Sequence, residues 1–432
     1  TRWAHRRART SMADPPSPAG VDARRAALRL LDAVLRRGLP LEAALDGAAR
    51  DLPHAADRGL AHAIAAEALR RLPDLDALID SATPKRLPPD AKARFALRIA
   101  LVQALALGTP AHAAISTVLP LVDGGPRKLV HGVFGALIRR RVVLPPLPTL
   151  PRAVEARWTE AWGREMVDAA RTAIAAPPPI DLSFASAEEA ATFDGLSLAP
   201  GHVRMPARTS VTDLPGFAEG RWWVQDLAAS LPARLLGVGA GRRVLDLCAA
   251  PGGKTLQLAA AGWNVTAVDG SAARLERLRV NLERTGLSAA VVEADVLAWE
   301  PPAAADAILL DAPCSATGIY RRHPDVLHRA RPRVTAELAA LQQTMLARAA
   351  RWLKPGGTLV FSTCSLEPEE GEAHLERAAG LLPDPVRPDE LPAGIVPDPR
   401  GHLRVLPTML AEQGALDGFF VARFRRSESG AA

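Results

Sequence analysis

The sequence predicts an α/β protein: a doubly wound, mainly parallel sheet in the C-terminal half, preceded by an all-α bundle and a small α+β subdomain. Three observations carry this. From Arg242 onward, short β-rich runs (RVLDLC, NVTAVD, AAVVEAD, DAILLDAPC, TLVFSTC) alternate with helical stretches (KTLQLAAAG, AARLERLRVNLERTG, TAELAALQQTMLARAARWL). That alternation is the pattern of a parallel sheet covered by helices on both faces. Residues 22–142 instead repeat apolar positions at helical spacing between short Pro and Gly breaks. At 432 residues the chain is also too long for one ordinary core.

Taken in order, residues 1–20 (TRWAHRRARTSMADPPSPAG) are basic and Pro-rich and lack the apolar centre of a signal peptide. They are expected to be a disordered leader, in which the residues before Met12 are an overcalled start or a trimmed product. Residues 21–142 form the bundle. Its first helix, DARRAALRLLDAVLRRG, is expected to take Asp22 as N-cap and to stop at Gly38. Further helices follow at LEAALDGAARDL, AADRGLAHAIAAEALRRL, DLDALIDSAT, PDAKARFALRIALVQALALG, HAAISTVLPLVDGG and RKLVHGVFGALIRRR. Residues 143–152, within VVLPPLPTLPRAV, are Pro-rich and read as a stiff linker. Residues 153–235 make the small α+β subdomain, with a helix near Val154–Ala175 and strand-like pieces IDLSFAS, HVRMPA and RWWVQD. Residues 236–432 make the α/β domain, closed by GHLRVLP and GFFVARFRR, the last expected to run antiparallel.

A formal net charge of +6 leans toward a polyanionic partner. The lean is weak, because only five of the 53 basic residues are Lys and such Arg dominance also follows from base composition. Three cysteines, an odd number, argue against a disulfide-stapled secreted domain. The most apolar run, ARFALRIALVQALALG, is interrupted by Arg98 and Gln103 and falls short of a membrane span. The chain therefore reads as a cytoplasmic monomer with no membrane or metal partner.

The strand RVLDLC runs into Cys248-Ala249-Ala250-Pro251-Gly252-Gly253-Lys254 and then into a helix. The two glycines permit a tight turn and close backbone approach, and a helix N-terminus presents free N–H groups. A phosphate-binding P-loop is the rival reading, but Cys248 stands where that motif needs its first Gly. The next strand ends in Asp269, suited to ribose hydroxyls, and the third in Asp295, placed for an adenine amino group. Three successive strand tips of this kind point to a nucleoside-containing cofactor. Carboxylates suit one bearing an amino acid and a sulfonium better than a triphosphate.

The fourth strand ends DAPCSATG, with Asp311 and Cys314, and the fifth ends FSTCS, with Cys364. If those strands are neighbours, both thiols face one cleft. Carbon 5 of cytosine is too weak a nucleophile to take a methyl group from a sulfonium. A thiolate added at carbon 6 makes it enamine-like, and that is the reason for a thiol here. Asp311 is placed to hydrogen-bond the cytosine edge. Spacing alone does not say which thiol attacks.

Together, DLCAAPGGKT, DAPCSATG and STCS resemble the RNA 5-methylcytosine methyltransferases of the Nop2/NSUN/Sun group, over roughly residues 153–425. The resemblance implies a Rossmann-like class I methyltransferase domain, with S-adenosylmethionine on the 248–254 loop, Asp269, Asp295 and Asp311. It also implies Cys364 as nucleophile and Cys314 as the thiol that assists product release. HAAISTVLPLVDGG followed by VHGVFGALIRR is similar to a NusB-type RNA-binding bundle, although His131 and Gly132 depart from that pattern. Such a bundle on this catalytic domain implies a cytosine of 16S ribosomal RNA as substrate, with transfer RNA, or a non-catalytic RNA-binding scaffold, as alternatives. RRHPDVLHRARP resembles a family loop, which makes Arg321, Arg322 and His323 expected RNA contacts and the 153–235 subdomain an RNA-binding element. Tyr320, Trp222 and Trp223 are candidate stacking surfaces for a base lifted from its stack, with packing between subdomains the alternative for the Trp pair.

Overall fold

A computed structural model describes residues 20–377 and 380–428. The leader expected over residues 1–20 therefore lies, Gly20 apart, outside the described residues. The chain divides into two compact units, with the boundary after Leu144.

The described part of the first unit is helical: α1 (Val21–Leu35), α2 (Leu41–Ala48), α3 (Ala55–Arg70), α4 (Leu72–Ser81), α5 (Lys92–Leu105), α6 (Ala111–Val118) and α7 (Gly124–Arg139). Every residue of α5 from Ala93 to Gln103 is buried, so this helix is the centre of the bundle. Its two buried charges, Arg94 and Arg98, are paired within the bundle. Arg98 makes a two-pronged contact with Asp76 of α4 at 2.8 and 2.9 Å, and Arg94 pairs with Asp76 and Asp80. The N-cap of α1 is Gly20, with φ +80°, not Asp22. Asp22 lies in the first turn, where a carboxylate opposes the positive end of the helix dipole.

The second unit opens with α8 (Arg152–Ala175), broken at Gly163, and a small antiparallel sheet. Strands β1 (Ile180–Phe184), β2 (Leu196–Ala199), β3 (His202–Met205) and β4 (Trp222–Val224) stand in the order β2-β3-β1-β4, with α9 (Ala187–Thr192) between β1 and β2. Trp222 and Trp223 alternate across β4 into two different cores, one within the small sheet and one toward the large. Both are buried, which suits packing rather than base stacking.

After α10 (Leu227–Arg234) come β5 (Arg243–Leu247), α11 (Gly253–Ala260), β6 (Asn264–Asp269), α12 (Ala272–Thr285), β7 (Ala290–Glu293) and β8 (Ala305–Asp311). Then follow α13 (Val326–Arg329), α14 (Pro332–Trp352), β9 (Leu353–Thr363), β10 (Leu381–Pro383), β11 (Leu403–Val405) and β12 (Phe419–Arg426). The sheet order is β10-β12-β9-β8-β5-β6-β7, with β11 paired to β12. Strands β5 to β9 are parallel, and β12 runs antiparallel beside β9. Alternate residues feed opposite faces. Leu245, Ile308, Leu310 and Phe361 enter one core, while Val244, Ala307, Leu309 and Val360 enter the other. The chain winds outward in opposite directions from β5 and β8, so the switch point for a ligand lies at their carboxyl ends. This is the Rossmann-like fold.

Candidate active site

The loop leaving β5 takes a shape few sequences allow. Cys248 adopts φ +61° and Gly252 φ +109°, and the Ala250–Pro251 peptide is cis. A Cβ on Gly252 would lie 2.2 Å from the Leu278 side chain, so only glycine fits between the loop and α12. The loop is held from the next strand tip: Asp269 accepts from the backbone N–H groups of Ala250 and Ser271 at 3.1 and 3.0 Å.

A cavity of about 690 Å³ opens over these strand ends. Cys248, Asp269, Asp295, Asp311, Cys314 and Cys364 all line it, and Val296, Ala312 and Met345 supply an apolar wall. Of the expected cofactor loop, Cys248 forms part of the wall, while Ala249 and Ala250 are buried in the core beside α12. Lys254 turns to Asp311 (2.7 Å) and lies 5.3 Å from the centre of the Phe419 ring. The other Asp311 oxygen accepts from the Ser362 hydroxyl at 2.8 Å.

Acids outnumber bases here. Asp269, Asp295 and Asp311 line the cavity with Arg274, which is 3.3 Å from Asp269, while Lys254 pairs with Asp311 and Asp246 is buried below. Burial pushes the Asp246 carboxyl up to about 7, with Asp311 and Asp269 adding to the shift. Burial, with the same two neighbours, pushes the Cys248 thiol up to about 12. Burial lowers the Lys254 pKa, but the Asp311 charge and hydrogen bond outweigh it and the net shift is upward.

Strands β8 and β9 are adjacent, with Asp311 opposite Ser362, so their ends carry the two remaining thiols to one place. Cys314 Sγ and Cys364 Sγ are 3.4 Å apart, half-buried and free. The hydrogen bond to Cys364, reinforced by burial, holds the Cys314 thiol well above its usual range. Main chain fixes the Cys364 end: Gly318 N–H donates to the Cys364 carbonyl and Gly418 N–H to the Gly318 carbonyl, each at 2.9 Å.

Comparison with known proteins agrees with this geometry. Residues 233–425 match a family model described as "16S rRNA methyltransferase RsmB/F", and residues 21–137 match the NusB family. The ribosomal RNA small subunit methyltransferase B of Xanthomonas campestris is 36% identical over 87% of this chain and 92% of its own length. That of Pseudomonas syringae is 37% identical over 93% and 96%. The chain belongs to the 16S rRNA methyltransferase RsmB/F family. In fold it resembles a methyltransferase homologue from Pyrococcus horikoshii, at 27% identity and TM-score 0.51, over 64% of this chain and 95% of that one. NSun6 from the same organism, solved with SFG, shares 18% identity at TM-score 0.55, over 64% and 98%.

S-adenosylmethionine is the cofactor of this family, and the cavity fits it. An excess of carboxylates suits a ligand carrying a sulfonium and an ammonium, and the apolar wall suits its purine.

The structure corrects one expectation drawn from the family loop. Arg321 is wholly buried; it donates to Asp417 at 2.9 Å and to Asp226 at 3.0 Å. Arg322 donates to the same two acids at 3.2 and 2.9 Å. The Arg321 guanidinium is sealed in this ion-pair network and does not face solvent as an RNA contact would, while Arg322 is half-buried and spends its donors on the same acids. His323 lies half-buried in the adjoining turn. Tyr320 is fully buried edge-on against Trp158, at 5.3 Å between ring centres, so it is no stacking platform. Sequence reasoning also passed over Glu370, Gln342, Ser315 and Ser365, which bond to one another beneath the two thiols.

Proposed function

We propose that this chain transfers a methyl group from S-adenosylmethionine to carbon 5 of a cytosine in 16S ribosomal RNA, through a covalent bond between Cys364 and carbon 6. The observation that carries the reading is the pair of thiols at 3.4 Å, in the wall of the cavity that holds three strand-tip carboxylates. A methyltransferase acting on an amino group needs no thiol; one acting on carbon 5 does.

Asp269 and Asp295 would hold the ribose and adenine of the cofactor, with Val296 and Met345 against the purine. The bound cofactor supplies an electrophilic methyl group. Asp311, already oriented by Lys254 and Ser362, accepts from the cytosine edge and favours a proton at N3. The Cys364 thiolate adds to carbon 6, and the ring electrons collect at carbon 5, which takes the methyl group. Loss of the carbon 5 proton to a base then expels Cys364 as thiolate, restoring the aromatic ring. Cys314, in contact with the Cys364 sulfur, assists that release. The target base must leave its stack to enter, and the ribosomal RNA named for the relatives supports that nucleic acid as the substrate.

Two substitutions test this. Cys364→Ala is expected to abolish transfer while S-adenosylmethionine still binds; retained activity overturns the assignment. Cys314→Ala is expected to accumulate a protein–RNA adduct that survives denaturing electrophoresis, and its absence means the thiol roles are misassigned. Bisulfite mapping of RNA from cells with and without the protein identifies the nucleotide.

A further inference from the structure

We propose that Glu370 is a positioning residue that sets the spacing of the two thiols by clamping both cysteine-bearing strand ends from beneath. The inference rests on the two-thiol reading above and deepens it.

Glu370 follows β9 in a single turn, Pro368–Glu370, and is completely buried, whereas its neighbour Glu369 is exposed. One carboxylate oxygen accepts the Ser315 backbone N–H at 2.8 Å and Gln342 Nε2 at 3.2 Å. The other accepts the hydroxyl of Ser365 at 2.6 Å and that of Ser315. Ser315 is the residue after Cys314, and Ser365 is the residue after Cys364. A single side chain thus bonds to the residue following each thiol. The preceding residues are held too. Gln342 also donates to the Pro313 carbonyl at 2.9 Å, and the Thr363 hydroxyl donates to the Glu370 carbonyl at 2.8 Å. His374 braces Gln342 from behind, 2.8 Å from its Oε1.

Sheet pairing explains why such a clamp is useful. Neighbouring strands fix backbone separation at roughly 4.8 Å, but that constraint ends where the ladder ends, and both cysteines lie just beyond it. A buried carboxylate is costly unless its lone pairs are filled. Here four donors fill two oxygens; glutamine keeps one acceptor oxygen and no charge, and its NH2 group obliges both serine hydroxyls to turn round and accept, so the two hydroxyl straps must reverse. Glu370 is absent from the cavity wall; it acts on the thiols through the strand ends it holds and, as a lesser cause, through its charge, which adds to the upward shift of Cys314.

The test uses the full-length protein and a readout independent of methylation. Diamide, a diazene, oxidises two thiols in contact: an S–S bond forms and both thiol hydrogens pass to the N=N bond, giving a hydrazine. The Cys314–Cys364 bridge is followed by peptide mass spectrometry. Glu370→Gln is expected to slow bridging at least about tenfold and kcat about 100-fold, the order seen for misplacements near 1 Å, with the KM for S-adenosylmethionine within about twofold. Bridging at the wild-type rate in a folded Glu370→Gln protein overturns the proposal. If bridging slows while methyl transfer continues at full rate, control of spacing stands and the two-thiol reading fails. Should Glu370→Gln not fold, Ser315→Ala and Ser365→Ala each remove one strap; both are expected to slow bridging several-fold, and wild-type bridging in both overturns the proposal.

Discussion

Two charged clusters in the second unit use the same residue types to opposite ends. In the ion-pair network, Asp181, Asp226 and Asp417 meet Arg204, Arg321 and Arg322, and every guanidinium is closed by carboxylates or carbonyls. In the cavity wall, Asp269, Asp295 and Asp311 meet Arg274, with Lys254 behind the wall on Asp311. Balance makes the first cluster a fastener joining the small sheet, the 321–322 loop and the approach to β12. Imbalance makes the second a site, because it leaves negative charge that a cationic ligand neutralises. Charge type says little about role; the sum over neighbours says a great deal.

The sharpest way to break that contrast is Arg321→Ala. Removing Arg321 leaves the buried Asp226 and Asp417 to share Arg322 alone, one buried charge short, and is expected to cost about 3 kcal/mol in denaturant unfolding of the second unit. Cofactor affinity of the still-folded protein should not change; a weakened affinity with intact stability would reverse the roles assigned to the two clusters.

A middle-sized effect is expected at Asp246. Its Oδ2 accepts from Thr255, and its Oδ1 has no partner. The carboxyl titrates at about 7 when folded, above its ordinary range. Burial therefore favours the protonated form: stability from this group is full below about pH 4 and is lost as pH rises through about 7. Asp246→Asn should unfold at higher denaturant than wild type at pH 8, by about 1–2 kcal/mol, and should converge with it at pH 4. A difference that does not vary with pH would mean the site stores no such strain.

The smallest effect belongs to Asp295, exposed at the cavity edge. Asp295→Asn is expected to raise the S-adenosylmethionine KM by about two- to fivefold, the scale of one solvated charge contact, with no shift in unfolding midpoint. A rise of a hundredfold would place this acid among the principal holders of the ligand.

What could be read from the chain follows the range of the forces involved. Strand–loop–helix punctuation is local, so the 248–254 turn, Asp269, Asp311 and the two strand-end cysteines were legible, as was the antiparallel close of the sheet. Adjacency of β8 and β9 was a conditional inference until the sheet order settled it. Arg321 was misread because a basic run looks solvated by default; Asp226, which both Arg321 and Arg322 bind, lies 95 and 96 residues away in sequence. Glu370 was missed for the same reason. In PEEGE it looks like part of an exposed acidic run, and only alternation within that turn sends Glu370 inward and Glu369 outward. The break at Gly163 in α8 had a signal, a glycine within a helical pattern, that also fits an unbroken helix.

The backbone contact at Gly318 and Gly418 has a bearing on how such a chain drifts over generations. A Cβ on Gly318 would sit 2.0 Å from the Gly418 carbonyl oxygen, and one on Gly418 would meet Leu366 at 2.6 Å and the Gly318 Cα at 3.0 Å. Neither position tolerates even alanine without parting two segments whose meeting supports the Cys364 carbonyl. Relatives should therefore keep an invariant seam where the loops before β12 and after β8 touch. A collection of random variants scored for methylation would find both seam positions forbidden even to alanine, although neither carries a side chain that could act.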